Sequence, residues 1–192
     1  MANILFFDTE TTGVPRNYNA PVTDTNNWPR LVQLGWIVTD EFGHIQKRCY
    51  RIIRPDGFII PAEASAVHGI STERALREGY DLSSVLRDFY ADLSTAGRVI
   101  GHNVDFDIHI VGSELYRKGM SYQTLTNKSL TCTMKQSTNY CAIPGNYGYK
   151  WPRLEKLYRK LFGRSFAGAH DAMSDIQATM ECFFELKRKG IL

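Results

Sequence analysis

The order of hydrophobic patterns along this chain of 192 residues predicts an α/β fold built on a mixed β-sheet. Three apolar segments with strand character come first, and two shorter ones then alternate with amphipathic helices. Strands that follow each other directly can pair antiparallel, whereas parallel neighbours need a crossover that is usually a helix. The order β-β-β-α-β-α-β-α-α therefore predicts an antiparallel meander extended by parallel strands and flanked by helices.

The N-terminal part of the chain supplies the meander. Its first strand is predicted over residues 3–9. The polar segment Val14–Arg30 follows, and its prolines and asparagines indicate a long ordered loop rather than a linker, because strands resume directly after it. The segments Leu31–Val38 and Ile45–Ile53 then predict a hairpin around residues 40–43.

Helices and short strands alternate after the meander. Short helices are expected from about Ala62 and from Ser71, and a longer one over Leu82–Leu93, with Asp81 as its N-cap. The later elements are predicted as a strand at 98–101, a helix at 103–118, a strand at 129–132 that leads to a further helix, a Gly/Tyr-rich loop at 139–152, and helices at 154–162 and 172–189. The last helix carries a core-facing apolar stripe formed by Ile176, Met180, Phe183 and Phe184.

Bulk composition predicts one soluble domain over residues 1–192. A hydrophobic content of 43% and a charged content of 22% are ordinary for a globular protein, and the net charge of +3 is compatible with nucleic acid without requiring it. The four cysteines lack C-x-x-C spacing, which indicates reduced thiols in a cytoplasmic protein. No secretory signal and no apolar stretch of roughly 20 residues is present, so no membrane association is expected.

Two carboxylates at the end of the first strand predict a metal site. Asp8 and Glu10 are one residue apart, and strand side chains alternate between faces, so both should project to the same side. Unpaired buried charge is costly, and a hard divalent cation with oxygen ligands is the simplest compensation. Surface charges at a strand end are the alternative interpretation of this pair alone.

Two later segments add acidic and imidazole groups. Asp107 is placed in the first turns of a helix, where the helix dipole favours an ionised carboxylate, while Asp105 is expected to be solvated or helix-capping. In the second segment, Asp171 can cap the last helix, which leaves His170 just outside it and Asp175 one turn inside it. His102, at the end of the preceding strand, is interpreted as a packed structural histidine.

Three motifs in order carry a family resemblance: D-x-E-T-T-G at 8–13, H-N-x-x-F-D at 102–107 and H-x-x-x-x-D at 170–175. Together they resemble the DEDDh 3′–5′ exonucleases, the family that includes the proofreading subunit of bacterial replicative polymerases. The resemblance extends from about residue 3 to residue 186. It implies a ribonuclease H-like three-layer fold, with a mixed five-stranded sheet and helices on both faces, in a single exonuclease domain.

The resemblance also implies roles for individual residues. It assigns the ligands of two Mg²⁺ or Mn²⁺ ions to Asp8, Glu10, Asp107 and Asp175, and the general base to His170. In relatives, an acidic residue and a histidine with the spacing of Glu63 and His68 contact the terminal nucleotide. Substrate binding is therefore assigned to Thr11, Thr12, Gly13, Glu63 and His68.

The expected activity is removal of nucleoside 5′-monophosphates from the 3′ ends of single-stranded DNA by a two-metal mechanism, in proofreading or repair. An exoribonuclease of the same family is the nearest alternative, because nothing in the motifs recognises a 2′-hydroxyl. A noncatalytic nucleic-acid-binding module and a polymerase-accessory subunit are alternatives of other classes. The chain ends soon after its last helix, which favours a stand-alone enzyme or one loosely associated with a polymerase.

Two surface regions each have an expected role and an alternative one. The 14–30 insertion departs from the common family pattern and is expected to flank the substrate channel. Aromatic residues between 140 and 151 are expected to pin their loop to the protein body, with stacking of unpaired bases as the alternative. The segment 150–164 contains six basic residues and one acidic residue. It is a candidate surface for binding the phosphates of a nucleic acid strand, with a solvated helix face as the default interpretation.

Overall fold

A computed structural model describes residues 3–167 and 172–192 of the chain. The strands are β1 (Asn3–Thr11), β2 (Leu31–Thr39), β3 (Ile45–Ile52), β4 (Ala96–Gly101), β5 (Ser129–Cys132), β6 (Ile143–Gly145) and β7 (Gly148–Lys150). The helices are α1 (Ala62–His68), α2 (Thr72–Glu78), α3 (Leu82–Thr95), α4 (Val104–Arg117), α5 (Gln123–Thr126), α6 (Thr133–Gln136), α7 (Thr138–Cys141), α8 (Leu154–Phe162) and α9 (Ala172–Arg188). Within the described ranges, no helix combines the length and apolar character needed to cross a bilayer.

The central sheet is mixed and five-stranded, as predicted, with the order β3-β2-β1-β4-β5. Strand β2 is antiparallel to β1 and β3, whereas β4 is parallel to β1 and β5. The pairing of β1 with β4 stops at Phe6, but its pairing with β2 continues as far as Thr11. Strand β4 therefore leaves the last part of one β1 edge uncovered, and groups from other elements can bind there.

Helices cover both faces of this sheet. On one face α3 and α4 pack against β1, and the rings of Phe7 and Phe89 lie 5.3 Å apart between centroids. On the opposite face α9 packs against β1, and the rings of Phe6 and Phe183 lie 5.6 Å apart. The apolar stripe predicted for the last helix lies in this second core, with Phe184 partly buried at its margin. The predicted three-layer architecture is confirmed.

Some local elements differ from the expectations. Strand β1 continues two residues beyond the predicted end, as far as Thr11. The predicted loop at 139–152 contains the end of α7 and a small hairpin of β6 and β7, in which Pro144 lies opposite Tyr149. Strands of three residues are too short to show an alternating pattern, and the glycines and proline here are typical of turns.

The 14–30 segment is an ordered loop, as the sequence predicts, and it packs against α4. The Ser113 hydroxyl of α4 donates a hydrogen bond to the Val22 carbonyl at 2.9 Å. The indole ring of Trp28 is buried and stacks on the imidazole of His109, with centroids 4.6 Å apart. These contacts hold the middle of the segment and its C-terminal part against one helix.

A buried charge fastens the end of the same segment. Glu114 of α4 is fully buried, and its Oε1 atom accepts hydrogen bonds from Arg30 Nε at 2.8 Å and from Leu31 N at 3.0 Å. Arg117 lies 3.2 Å from the same oxygen and donates to the Trp28 carbonyl at 2.7 Å. Removing one member of a buried ionic group typically costs about 3–5 kcal/mol, so this cluster gives the segment a fixed position.

Candidate active site

Three carboxylates meet where β1 leaves the core. Asp8 and Glu10 share the β1 face on which α9 packs, and Asp175 comes from the first turn of α9. One oxygen from each of the three groups lies within 4.8 Å of the other two, and all three residues are partly exposed. Because carboxylate oxygens are the ligands that hard divalent cations prefer, this carboxylate cluster is a candidate metal centre.

Asp107 reaches the same strand from the first turn of α4. It is only 2% exposed, and its Oδ1 atom accepts the Thr9 hydroxyl at 2.6 Å and the Thr9 N–H at 3.0 Å. The N–H is available because β4 does not pair with β1 beyond Phe6. The structure therefore brings Asp107 close enough to raise the pKa of Asp8, although it stands outside the 4.8 Å cluster.

The carboxylates oppose one another's ionisation. Burial raises the pKa of Asp8 well above its usual range, and the charges of Asp107, Glu10 and Asp175 raise it further. Burial also raises the pKa of Asp107 to about 7, although the two hydrogen bonds from Thr9 act in the opposite direction. A divalent cation among these groups would favour their ionised forms. The residues present therefore fit such an ion.

Two neighbours of Asp107 in the sequence have other positions. Asp105 has a half-exposed side chain that forms an ion pair with Lys135, as expected for a residue outside the cluster. His102 is largely buried, with Nε2 placed to donate to the Pro152 carbonyl at 3.0 Å and Nδ1 at 3.0 Å from the Thr133 hydroxyl. Burial lowers the pKa of His102 to about 4, so the ring is neutral at pH 7. Its interpretation as a structural histidine is confirmed.

The predicted general base lies outside the described residues. His170 and its neighbour Asp171 both fall between the described ranges 3–167 and 172–192. Their expected roles, as base and as helix cap, stay predictions from the sequence.

The predicted substrate-binding residues form a turn and a short helix. Thr11 ends β1, its hydroxyl donates to the Gly13 carbonyl at 2.6 Å, and Thr12 exchanges hydrogen bonds with Arg30. Gly13 has φ of +152°, and a Cβ atom there would meet open space. The backbone of this turn is thus open to close approach by a ligand, as the glycine predicts.

His68 lies beside this turn at the end of α1. Its Nδ1 atom accepts the Ile70 N–H at 3.2 Å, whereas Nε2 is buried, and the Thr11 backbone lies within hydrogen-bonding reach of the ring. Burial lowers the pKa of His68, and the nearby Thr11 backbone acts in the opposite direction. Glu63 is exposed in the first turn of the same helix, and no hydrogen bond or ion pair among the described residues joins it to the turn.

The aromatic residues of the β6–β7 region are mostly exposed. Tyr147 is fully exposed, Tyr149 is 55% exposed and Trp151 is 63% exposed. Tyr140, by contrast, is partly buried against the core formed by α8 and α9. The expectation that aromatic packing pins this loop holds for Tyr140 and is wrong for the other three residues. A groove of about 300 Å³ next to Asp175 has Trp151 as one of its walls.

A ribonuclease H-like sheet with a carboxylate cluster at the end of its central strand defines the class of metal-dependent nucleases. A family model described as "Exonuclease", of the RNase T group, matches residues 5–183. The chain belongs to this exonuclease family, which confirms the resemblance drawn from the three motifs and the predicted enzyme class of hydrolytic nuclease.

Two relatives share low identity with nearly the whole chain. Exodeoxyribonuclease I of Buchnera aphidicola is 26% identical over 204 residues, which cover 97% of this chain and 40% of that protein. The uncharacterized exonuclease CP81 of Escherichia phage 186 is 28% identical over 197 residues, which cover 97% of this chain and 89% of that protein. The chain thus spans about two fifths of the first relative and most of the second.

Solved structures share the fold at lower identity. The crystal structure of Escherichia coli exonuclease I in complex with a dA16 oligonucleotide has a TM-score of 0.77 and 22% identity, over 98% of this chain and 41% of that one. Exonuclease I from Methylocaldum szegediense has a TM-score of 0.78 and 21% identity, over the same shares. At this identity the likeness shows the fold, and it confirms the predicted ribonuclease H-like architecture.

Thr9 is the site residue that motif analysis missed. It occupies the unspecified position between Asp8 and Glu10. One of its two hydrogen bonds to Asp107 comes from a backbone N–H, which every residue except proline possesses. The role of Thr9 could be recognised only from the sheet topology, because the β1–β4 pairing ends at Phe6 and leaves the Thr9 N–H free to donate to Asp107. A hydroxyl residue between the two acids adds the second hydrogen bond.

Proposed function

We propose that this protein is a 3′–5′ exonuclease that releases nucleoside 5′-monophosphates from the ends of single-stranded DNA. The observation that carries the proposal is the convergence of Asp8, Glu10 and Asp175 within 4.8 Å, with Asp107 held beside them by Thr9. These residues come from distant parts of the chain, and a purely structural role would not require so many carboxylates in one place.

Four acids would hold two Mg²⁺ or Mn²⁺ ions. Such ions supply stabilisation of the negative charge that gathers on the attacking and leaving oxygens of a phosphodiester. Asp8, Glu10 and Asp175 provide the carboxylate cluster, and Mg²⁺ keeps several waters, so few protein ligands suffice. Both hydrogen bonds from Thr9 go to Oδ1 of Asp107, and Oδ2 is therefore the atom that Asp107 would offer to an ion.

His170 would accept the proton of the attacking water. A neutral imidazole with a pKa near ~6.5 can act as a base at cellular pH. This assignment rests on the family motif at 170–175, in which Asp175 is the partner acid.

The 3′-terminal nucleotide would bind at the Thr11–Gly13 turn and α1. Open space at Gly13 supports contacts from that side, and the imidazole of His68 lies beside Thr11 of the same turn. Glu63 would contact the nucleotide from the exposed first turn of α1. Recognition of a free 3′-hydroxyl would make the enzyme act from the strand end.

DNA is favoured over RNA because one relative is named an exodeoxyribonuclease and a protein of the same fold was solved with a DNA oligonucleotide. An exoribonuclease remains the alternative within the family, and a noncatalytic nucleic-acid-binding module the alternative of another class. Association with a polymerase is a further alternative, tested by co-purification. We also propose that residues 1–192 act as one exonuclease domain and, from four cysteines that are free thiols, that the location is cytoplasmic.

The decisive experiment is digestion of matched DNA and RNA oligomers that carry a 5′ label. With Mg²⁺ or Mn²⁺, we expect ladders that shorten from the 3′ end of DNA, mononucleotide products, and no reaction in chelator. Asp8→Asn should abolish turnover, whereas Asp105→Asn removes a nearby carboxylate outside the cluster and should retain it. Faster digestion of RNA would favour the alternative substrate, and binding without turnover would favour the noncatalytic module.

A further inference from the structure

A second groove adjoins the carboxylate site. It has a volume of about 450 Å³ and lies between the 14–30 segment and α4. We call it the insertion groove, and its walls include Tyr18, Asn19, Trp28, Phe106, Lys135 and Trp151. Met134 and Trp151 line both this groove and the groove that contains Asp175, so the two spaces are neighbours. A volume of this size is typical of sites for small organic groups.

Two exposed aromatic side chains stand on the walls of the insertion groove. Tyr18 is 56% exposed and Trp151 is 63% exposed, so much of each side chain is left without protein contact. The Tyr18 ring lies 6.5 Å from that of Phe106 at an angle of 42°, which leaves the two rings tilted rather than stacked. Exposed aromatic faces in a groove are the usual means of stacking unpaired bases.

Both aromatic walls rest on rigid supports. Tyr18 follows Asn17, whose backbone N–H donates to the Asn27 side chain at 2.8 Å and whose carbonyl accepts from it at 2.9 Å, and Asn27 precedes the buried Trp28. Trp151 precedes Pro152, whose carbonyl is hydrogen-bonded to the buried His102. Walls that are already in place lose little conformational freedom when a ligand binds, which increases affinity.

Charge contributes little to recognition in this groove. Lys135, a cation on its wall, already forms an ion pair with Asp105 on the same wall. Asn19 and Asn103 add neutral polar groups. Such a lining favours the flat, uncharged face of a base over a second phosphate group.

We propose that the insertion groove binds the nucleotide next to the scissile phosphate on its 5′ side, by stacking its base on Trp151 and Tyr18. The inference rests on the proposed exonuclease function, because Asp175 in the adjoining groove marks the reacting end. A base held there cannot remain paired to a complementary strand. The groove therefore selects single-stranded substrate of at least two nucleotides.

The test compares a substrate that reaches the insertion groove with one that does not. The p-nitrophenyl ester of thymidine 5′-monophosphate contains one nucleotide, whereas dT4 extends upstream of the scissile bond. We expect Tyr18→Ala and Trp151→Ala each to lower the ratio of kcat/KM for dT4 to that for the ester by about 5- to 150-fold, the range for loss of one base–aromatic stack. Tyr18→Phe, which keeps the ring, should restore the ratio.

The matched control is Phe42→Ala, which removes an aromatic side chain of similar exposure from the turn between β2 and β3, at the opposite end of the sheet. The ratio of kcat/KM for dT4 to that for the ester should be the same in Phe42→Ala as in the unsubstituted protein. An unaltered ratio in both Tyr18→Ala and Trp151→Ala, or an equal fall in Phe42→Ala, would overturn the inference. If the unchanged protein hydrolyses neither substrate, the proposed function itself fails.

A binding measurement tests base binding in the insertion groove independently of turnover. Fluorescence anisotropy of 5′-labelled dT4 in chelator should show weaker binding for both alanine variants and unchanged binding for Phe42→Ala. Equal affinity of all four proteins would overturn the inference. Circular dichroism melting of each variant establishes that the fold is retained.

Discussion

Neutralising one acid of the carboxylate cluster is expected to stabilise the metal-free protein. Two unit charges 4.8 Å apart repel each other by roughly 3 kcal/mol at an effective dielectric constant of ~20, and Asp8 takes part in two of the three pairs. Burial and this repulsion together raise the pKa of Asp8. We therefore expect Asp8→Asn to increase the free energy of unfolding by about 1–3 kcal/mol in chelator.

Thermal melting followed by circular dichroism at pH 8 measures this effect. A gain of about 1–3 kcal/mol corresponds to a midpoint raised by roughly 2–12 °C for a chain of this size. Mn²⁺ at ~100 times its dissociation constant should stabilise the unchanged protein by about 2.7 kcal/mol, and Asp8→Asn clearly less. The variant should therefore be the more stable protein in chelator and should gain less from Mn²⁺.

The control for this prediction is Asp105→Asn, which changes the net charge equally. The half-exposed side chain of Asp105 is paired with Lys135, so its neutralisation removes an attraction and should not raise the midpoint. Asp8→Asn melting at or below the unchanged protein in chelator, with a full response to Mn²⁺, would refute the argument that these carboxylates repel one another across a shared ion site.

Three further predictions concern metal binding, pH dependence and the buried Glu114 cluster. Asp8→Ala should weaken both turnover and Mn²⁺ binding, whereas His170→Ala should lower turnover and leave calorimetric Mn²⁺ affinity nearly unchanged; equal loss of binding would contradict this division of roles. Because the pKa of His102 falls from 6.5 to about 4 on folding, its contribution is complete above pH 6.5 and is lost as pH falls toward 4. Urea unfolding at pH 7.5 and 4.5 should show a loss of about 3 kcal/mol that His102→Gln lacks, and an identical loss in the variant would disprove the assignment. Glu114→Ala should cost about 3–5 kcal/mol in urea unfolding by leaving two arginines without their buried partner, while Glu78→Ala, at an exposed ion pair, should cost under ~1 kcal/mol; similar costs would show that burial does not strengthen the first cluster.

The larger elements follow from local patterns that the sequence displays directly. Strand β1 is a continuous apolar run and helix α9 carries an apolar stripe at helical spacing, and their packing brings Asp8 and Asp175 together. The sequence motifs identify the remaining acids, Glu10 and Asp107, because metal binding requires carboxylates at particular positions. The 14–30 segment was predicted as an ordered loop from its turn residues and from the strand that follows it directly, whereas its buried anchors Val22 and Trp28 are seen only in the structure.

What the sequence does not reveal depends on contacts between distant segments. The hydrogen bonds from Thr9 arise from where β4 stops pairing, which no local pattern encodes. The exposure of Tyr147 and Trp151 follows from a hairpin of three-residue strands, and aromatic residues are by default expected to be buried. The insertion groove likewise requires the relative placement of Tyr18 and Trp151, which are more than a hundred residues apart in the chain.

Strand β1 pairs with β2 over a longer stretch than with β4, and this difference makes the Thr9 amide a reporter of the carboxylate site. Amides in the first part of the strand are protected by two neighbouring strands, but the Thr9 amide is protected only for as long as Asp107 accepts it. Its rate of hydrogen–deuterium exchange should therefore track the docking of the α4 N-terminus and not global unfolding. A single resonance could follow the assembly of the carboxylate site in solution, without substrate and without turnover.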